Sequence, residues 1–121
     1  MIQIIKKTGD TVVELANYEE GSWVNVISPT NNEKNEIAED LNIPVGFLSD
    51  PLDPEERSRV EFDEDMTLIL VRVPYHVENS EVPFQTIPVG IILKPNYIIT
   101  VASRNVEVLG EFVSGSVKNF N

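Results

Sequence analysis

Carboxylates dominate the chemistry this sequence can offer. Between Glu33 and Asp65 there are twelve acidic side chains, and only Lys34, Arg57 and Arg59 oppose them. Such a stretch suits two roles. It can be a solvated face that keeps the protein in solution, or it can collect hard divalent cations, which prefer carboxylate oxygen. Mg2+ keeps several of its waters and needs only one or two protein carboxylates. An acidic loop of this kind fits Mg2+, weakly, unless another surface adds ligands. The run Asp63, Glu64, Asp65 lacks the alternating ligands, central glycine and terminal glutamate of an EF-hand, and reads as a hairpin turn.

Other chemistries lack their parts. The chain has no cysteine, which removes disulfides, cysteine–zinc sites, iron–sulfur clusters and thiol nucleophiles. The one histidine, His76, sits in a polar stretch with no nucleophile or orienting acid marked around it, and reads as a solvated residue. The six glycines are scattered and form no phosphate-binding loop. The chain therefore reads as a non-enzyme. Its net charge of −11, from 20 acidic and 9 basic residues, repels phosphate backbones and argues against nucleic acid. The same charge suits cations or a basic protein partner.

The elements that must position these acids follow from periodicity. A chain of 121 residues, 41% of them hydrophobic, makes one domain over residues 1–121 with a true core. Ile2, Ile4 and Ile5 begin a strand, Gly9 and Asp10 make a turn, and residues 11–15 continue in β-rich composition. Residues 23–27 form a third strand, which Ser28 and Pro29 end. Thr30 and Glu33 have the spacing of a capping box. Ile37, Ala38 and Leu41 follow at helical spacing, and this helix ends near Asn42. Pro44 suits the first turn of a second short helix, with Val45, Leu48 and Leu52 on one face. Asp53, Pro54, Glu55 and Glu56 read as a cap and turn.

The second half is strand-rich. Residues 59–62 alternate, and residues 66–73 are apolar at every central position, which implies cover on both faces. Residues 87–93 carry the same pattern. Residues 94–96 connect them tightly to a strand at 97–101, making a hairpin. Residues 75–83 read as an exposed loop. Asn105 is placed to cap a helix with Val106, Leu109, Phe112 and Val113 on its buried side, stopped by Gly115. The fold class expected is α+β: a three-layer α/β/α arrangement around a central mixed, largely antiparallel sheet with short helices. The start of the chain has no signal-peptide pattern, and no apolar run reaches the ~18 residues of a membrane helix, so the chain itself reads as cytosolic.

The order of these features resembles a known family. Trp23, Val24, Asn25 and Val26, followed by Pro29, Thr30 and an acidic helix, are similar to the Trp-Ile-Asn opening of the cytosolic domain of CorA-type magnesium transporters. Residues 41–50 look like that family's Gly-Ile-His/Asp-Pro helix with its Leu-Glu-Asp ending. Arg57, Arg59, Val60 and Glu61 resemble its Arg-Pro-Lys/Arg-Val/Ile-Glu segment. Strands like residues 68–71, 88–93 and 96–101 complete the series, which covers nearly the whole chain.

The resemblance implies the N-terminal cytosolic domain of a divalent-cation transport protein, held at the cytoplasmic side of the cell membrane. Stalk and transmembrane helices follow in the family and are absent here. It implies a Mg2+-sensing, gating role within a homopentamer, with the domain's own stalk, neighbouring subunits and divalent cations as partners. The regulatory ion would sit at the acidic end of the Leu-Glu-Asp segment, which falls on Ser49 and Asp50. Asp50 matches; Ser49 departs from the family's glutamate and removes a carboxylate. Asp53 is the nearby acid and a third candidate ligand. Arg57 and Arg59 are expected to pair with local acids. The alternative is a stand-alone acidic module of the same fold that binds a basic protein partner.

Overall fold

The structure is a computed structural model; it describes residues 1–79, 81 and 83–106. The chain opens with β1 (Ile2–Thr8), β2 (Thr11–Leu15) and β3 (Ser22–Ile27), and continues through α1 (Asn31–Asp40) and α2 (Val45–Ser49). A single 3-10 turn, Asp50–Leu52, leads to β4 (Arg59–Asp63), β5 (Met66–His76), β6 (Phe84–Lys94) and β7 (Tyr97–Ala102). All seven strands join one sheet in the order β2-β1-β3-β7-β6-β5-β4. The central β3–β7 pair is parallel and the other pairs are antiparallel. The mixed, largely antiparallel sheet with short helices is thus as expected.

Local sequence explains the joints. Gly9 takes φ +63° in the first hairpin turn. Asn96 takes φ +69° in the last, a left-handed conformation that asparagine tolerates better than most residues. Thr30 caps α1 as its spacing predicts. Its Oγ1 accepts from the Glu33 N–H at 3.1 Å, and Glu33 Oε1 accepts from the Thr30 N–H at 2.9 Å. The helix closes at Leu41, and Asn42 follows at φ +53°.

One face of the sheet carries the helices. Val24 and Val26 of β3, Met66, Leu68 and Leu70 of β5, Ile92 of β6, and Ile99 and Val101 of β7 are buried there with Ile37, Leu41, Phe47 and Leu48. On the other face, Ile5, Trp23, Ile87, Val89 and Ala102 form a second buried cluster. It includes Val106, because the chain turns back over this face after β7. Arg104 helps to hold that return, its guanidinium carbon 4.2 Å from the centre of the Tyr75 ring.

A buried polar chain crosses the middle of the second face. The Trp23 indole N–H donates to Thr100 Oγ1 at 2.8 Å, and the Thr100 hydroxyl donates to Asn25 Oδ1 at 2.9 Å. Asn25 and Thr100 are direct partners in the parallel register.

Four expectations need correction. β5 is not covered on both faces at its centre: Met66, Leu68 and Leu70 are buried, whereas Thr67, Ile69 and Val71 are half-exposed. The strand buried throughout is β3, with Asn25 and Ser22 among its buried residues. Val45 does not share a buried face with Leu48; it is exposed, and Phe47 and Leu48 carry the packing. The helix is only five residues long, and the change to a 3-10 turn at Asp50 breaks the 3.6-residue period on which that face was drawn. Pro44 is the N-cap of α2, with extended φ and ψ of −56° and 132°, rather than a residue of its first turn. Finally, the exposed loop is shorter than residues 75–83. β5 runs to His76 and β6 starts at Phe84, and the register pairs these two residues, with their rings edge to face. His76 remains exposed at the strand end. The helix expected after Asn105 lies outside the described residues.

The 3-10 turn meets the sheet at one glycine. A Cβ on Gly90 of β6 would lie 2.4 Å from Pro51 Cγ, and Pro51 is fully buried. A side chain at position 90 and the proline cannot share that space. Gly90→Ala should therefore destabilise the fold by about 1–3 kcal/mol, as overpacking does, measured by urea unfolding. An unaltered midpoint would show that Pro51 is not seated as described.

A second prediction concerns α1. The Glu33 carboxyl is held below its ordinary value, first by the hydrogen bond from the Thr30 backbone. Its contribution is complete above the unfolded-state value of 4.5 and is lost as pH falls through the lower folded-state value. Glu33→Ala should cost about 0.5 kcal/mol at neutral pH, and the difference from the parent should shrink in acid. Melting curves at several pH values check this, and a penalty independent of pH would contradict it.

Candidate functional site

The acids come together where the 3-10 turn passes the start of β4. Asp50 is both the C-cap of α2 and the first residue of the 3-10 turn. Buried Pro51, lying against Gly90, fixes this turn on β6 and so fixes where the Asp50 carboxylate projects. Next, Asp53 Oδ1 accepts from the Glu55 N–H at 2.9 Å and the Glu56 N–H reaches Asp53 O at 3.1 Å, the cap and turn expected there.

Arg72 of β5 clamps this loop from below. Its guanidinium donates to the carbonyls of Pro54 (3.1 Å) and Glu56 (2.8 Å), and to Thr86 O and Oγ1 at 2.8 and 3.0 Å. Four hydrogen bonds from one side chain tie the acidic loop to the β5–β6 ladder. Sequence reasoning missed Arg72. The available signal was an arginine interrupting an otherwise apolar strand.

Arg59, the first residue of β4, stands among the acids. Its Nη2 lies 2.8 Å from Asp50 Oδ2 and 3.5 Å from Glu61 Oε2, and its Nη1 pairs with Glu56 Oε2. The hydrogen bond to Glu56, then the charges of Glu56, Asp50 and Glu61, hold its guanidinium above the ordinary arginine value. The side chains of Arg59 and Asp50 are 36% and 40% exposed, so water and ions reach the corner. The expected pairing with local acids holds for Arg59; Arg57 makes no ion pair with any described residue.

The three candidate ligands lie along one turn, in different surroundings. Asp50 is paired with Arg59, Asp53 caps its own turn, and Ser49 is half-buried at the end of α2. Among the described residues no group of three or more histidine, aspartate and glutamate side chains is arranged to hold a metal ion. The arrangement suits balancing charge at an accessible corner.

A separate open cavity of about 530 Å3 lies between β1, the end of β2 and α1, with Ile2, Leu15, Tyr18, Glu36 and Asp40 in its wall. Burial, then the charges of Asp40 and Glu36, push the Tyr18 hydroxyl above its ordinary value. No helix among the described residues is long and apolar enough to cross a membrane.

The model of the CorA-like Mg2+ transporter protein family matches residues 18–118. The chain belongs to that family. It is 31% identical over 88 residues to the cobalt/magnesium transport protein CorA of Methanocaldococcus jannaschii, a match covering 73% of this chain and 26% of that protein. The solved soluble domain of CorA from the same organism is similar over 100% of this chain and 48% of its own, with a TM-score of 0.78 and 24% identity. The ZntB cytoplasmic domain of Vibrio parahaemolyticus is similar over 90% of this chain and 46% of its own, with a TM-score of 0.70 and 14% identity. At these identities the two structures speak for the fold. The chain spans about a quarter of the length of the curated CorA relative, and the named relative is a transport protein rather than an enzyme.

Arg72 gives this site a direct test. Arg72→Ala should lower stability by about 1 kcal/mol and speed amide hydrogen exchange across residues 53–58, leaving α1 protected. Uniform exchange changes over the whole domain would argue against a local clamp.

Proposed function

We propose that this chain is a cytoplasmic regulatory domain of a CorA-type magnesium or divalent-cation transport protein. In this reading it adjusts the opening of a membrane pore formed elsewhere in the assembly. The family match over residues 18–118 carries the proposal, and it favours this reading over a stand-alone acidic adaptor for a basic protein. Location at the cytoplasmic face of the membrane, and assembly with stalk helices and neighbouring subunits as a homopentamer, belong to the same proposal.

The third layer of the fold also belongs here. The second sheet face is apolar, Val106 already packs on it, and Val60, Phe62 and Leu93 leave apolar surface exposed. The three-layer arrangement would place further cover on this face.

The mechanism is electrostatic. A chain of net charge −11 presents acidic faces that repel their copies in a ring. A divalent ion held between Asp50 and a neighbouring surface, with Asp53 nearby, would offset that repulsion and favour the closed assembly. Ser49 contributes at most a hydroxyl, so the ion keeps most of its waters. Such an ion moves the gate only by preferring one state of the assembly over the other.

Asp50→Ala in the whole transport protein is the test. The Mg2+ concentration that halves ion uptake into proteoliposomes should rise about fivefold or more. Unchanged Mg2+ sensitivity would remove Asp50 from the mechanism.

A further inference from the structure

The open cavity beside α1 joins an apolar wall to uncompensated charge. Ile4 and Leu15, direct partners in the β1–β2 ladder, line it. Ile2 and Tyr18 line it too, and both pack against the core cluster beneath α1. Glu36 and Asp40 of α1 complete this lining. Its volume of about 530 Å3 falls within the range of small-molecule sites, about 300–1,000 Å3. We propose that this cavity binds an aliphatic diamine or longer polyamine. The methylenes lie along Ile2, Ile4, Leu15 and the Tyr18 ring, and the ammonium groups meet Glu36 and Asp40.

Three observations lead to an organic cation. First, α1 breaks two helix rules at this cavity. Glu36 and Asp40 stand four residues apart on one side of the helix, and like charges at that spacing repel. Asp40 is also the last helical residue, at the negative end of the macrodipole, and the last turn carries no basic residue. Neither acid forms an ion pair with a described residue. A cation from outside the chain relieves both conflicts. Secondly, the acids and the aromatic ring share one space. After burial, the charges of Asp40 and then Glu36 are what raise the Tyr18 hydroxyl above its ordinary value. Thirdly, the wall between the charges is apolar. Each methylene taken out of water against it adds to binding, and a tyrosine face attracts an alkylammonium.

The spacing selects among cations. Four residues of α-helix advance about 6 Å, and a chain of four methylenes holds two ammonium groups at a similar separation. A hydrated Mg2+ keeps its waters and gains nothing from isoleucine and leucine. Among the described residues no three acids gather to hold a metal ion. The site is therefore separate from the contact proposed for Asp50 and does not depend on it.

The test uses the 121-residue chain, with 1,4-diaminobutane, butylamine, Mg2+ and a trilysine peptide as probes at constant ionic strength. Amide chemical shifts report where each binds. The diamine should move residues 2–4, 15–18 and 36–40 together, and should bind about fivefold or more tighter than butylamine or Mg2+ there. Glu36→Gln with Asp40→Asn should weaken the diamine about fivefold or more. Asp63→Asn with Glu64→Gln removes the same charge at the turn beside β4, the opposite edge of the sheet from β2, and should leave binding within about twofold of the parent. Dispersed spectra check that both variants fold. The proposal is overturned if the diamine shifts spread over the whole acidic surface. It is equally overturned if both double variants weaken binding alike, or if Mg2+ or butylamine matches the diamine. Trilysine binding more tightly than the diamine at the same amides would replace the small amine with a basic protein segment.

Discussion

β3 and β7 lie side by side at the centre of the sheet and run in the same direction, and most of the architecture follows from that pairing. A parallel pair cannot be closed by a tight turn. After Ile27 the chain must leave the sheet and re-enter it before it can reach Tyr97. The chain does so through α1, α2 and the 3-10 turn, then through an antiparallel run of three strands that builds the sheet back to β7. This central position explains why β3 is buried along its full length although it contains serine and asparagine. Buried polar groups need partners, and the Trp23–Thr100–Asn25 chain supplies them across the parallel register.

The same crossover delivers the acidic turn to the sheet. α2 is too short to hold a geometry by itself, since isolated helices of this length are unstable. Its end is held instead by the contact between Pro51 and Gly90, while the loop beyond is held by Arg72. Two anchors on neighbouring strands, β6 and β5, therefore place Asp50 and Glu56. β4 brings Arg59 between them. Exposed ion pairs of this sort contribute about 0–1 kcal/mol each to stability, so the corner matters more for local electrostatics than for holding the fold.

Much of the fold is legible in the residues. The Thr30–Glu33 cap, the turns at Gly9 and Asn96 and the strand at Tyr97–Ala102 are local features, set by side-chain hydrogen bonds, φ preferences and period-two patterning. The site is legible only in part. Ser49, Asp50 and Asp53 stand out as polar residues near a helix end, but nothing local distinguishes an acid that faces water from one that holds an arginine nine residues away. Apolar composition likewise misplaces the doubly covered strand. β5 is rich in valine, isoleucine and leucine, yet it lies one strand from the sheet edge and is well covered on one side only, whereas β3 sits in the middle.

By itself, then, the amino-acid sequence determined the kinds of element, their caps and turns, the absence of thiol chemistry and the strongly acidic balance. These depend on neighbours a few residues apart or on composition alone. Only the tertiary structure decided the strand order, the burial of β3, the seating of Pro51 on Gly90 and the meeting of Asp50, Glu56 and Glu61 on Arg59. Those contacts join residues whose separation along the chain carries no periodic signal, and their geometry exists only once the sheet has closed around its parallel centre.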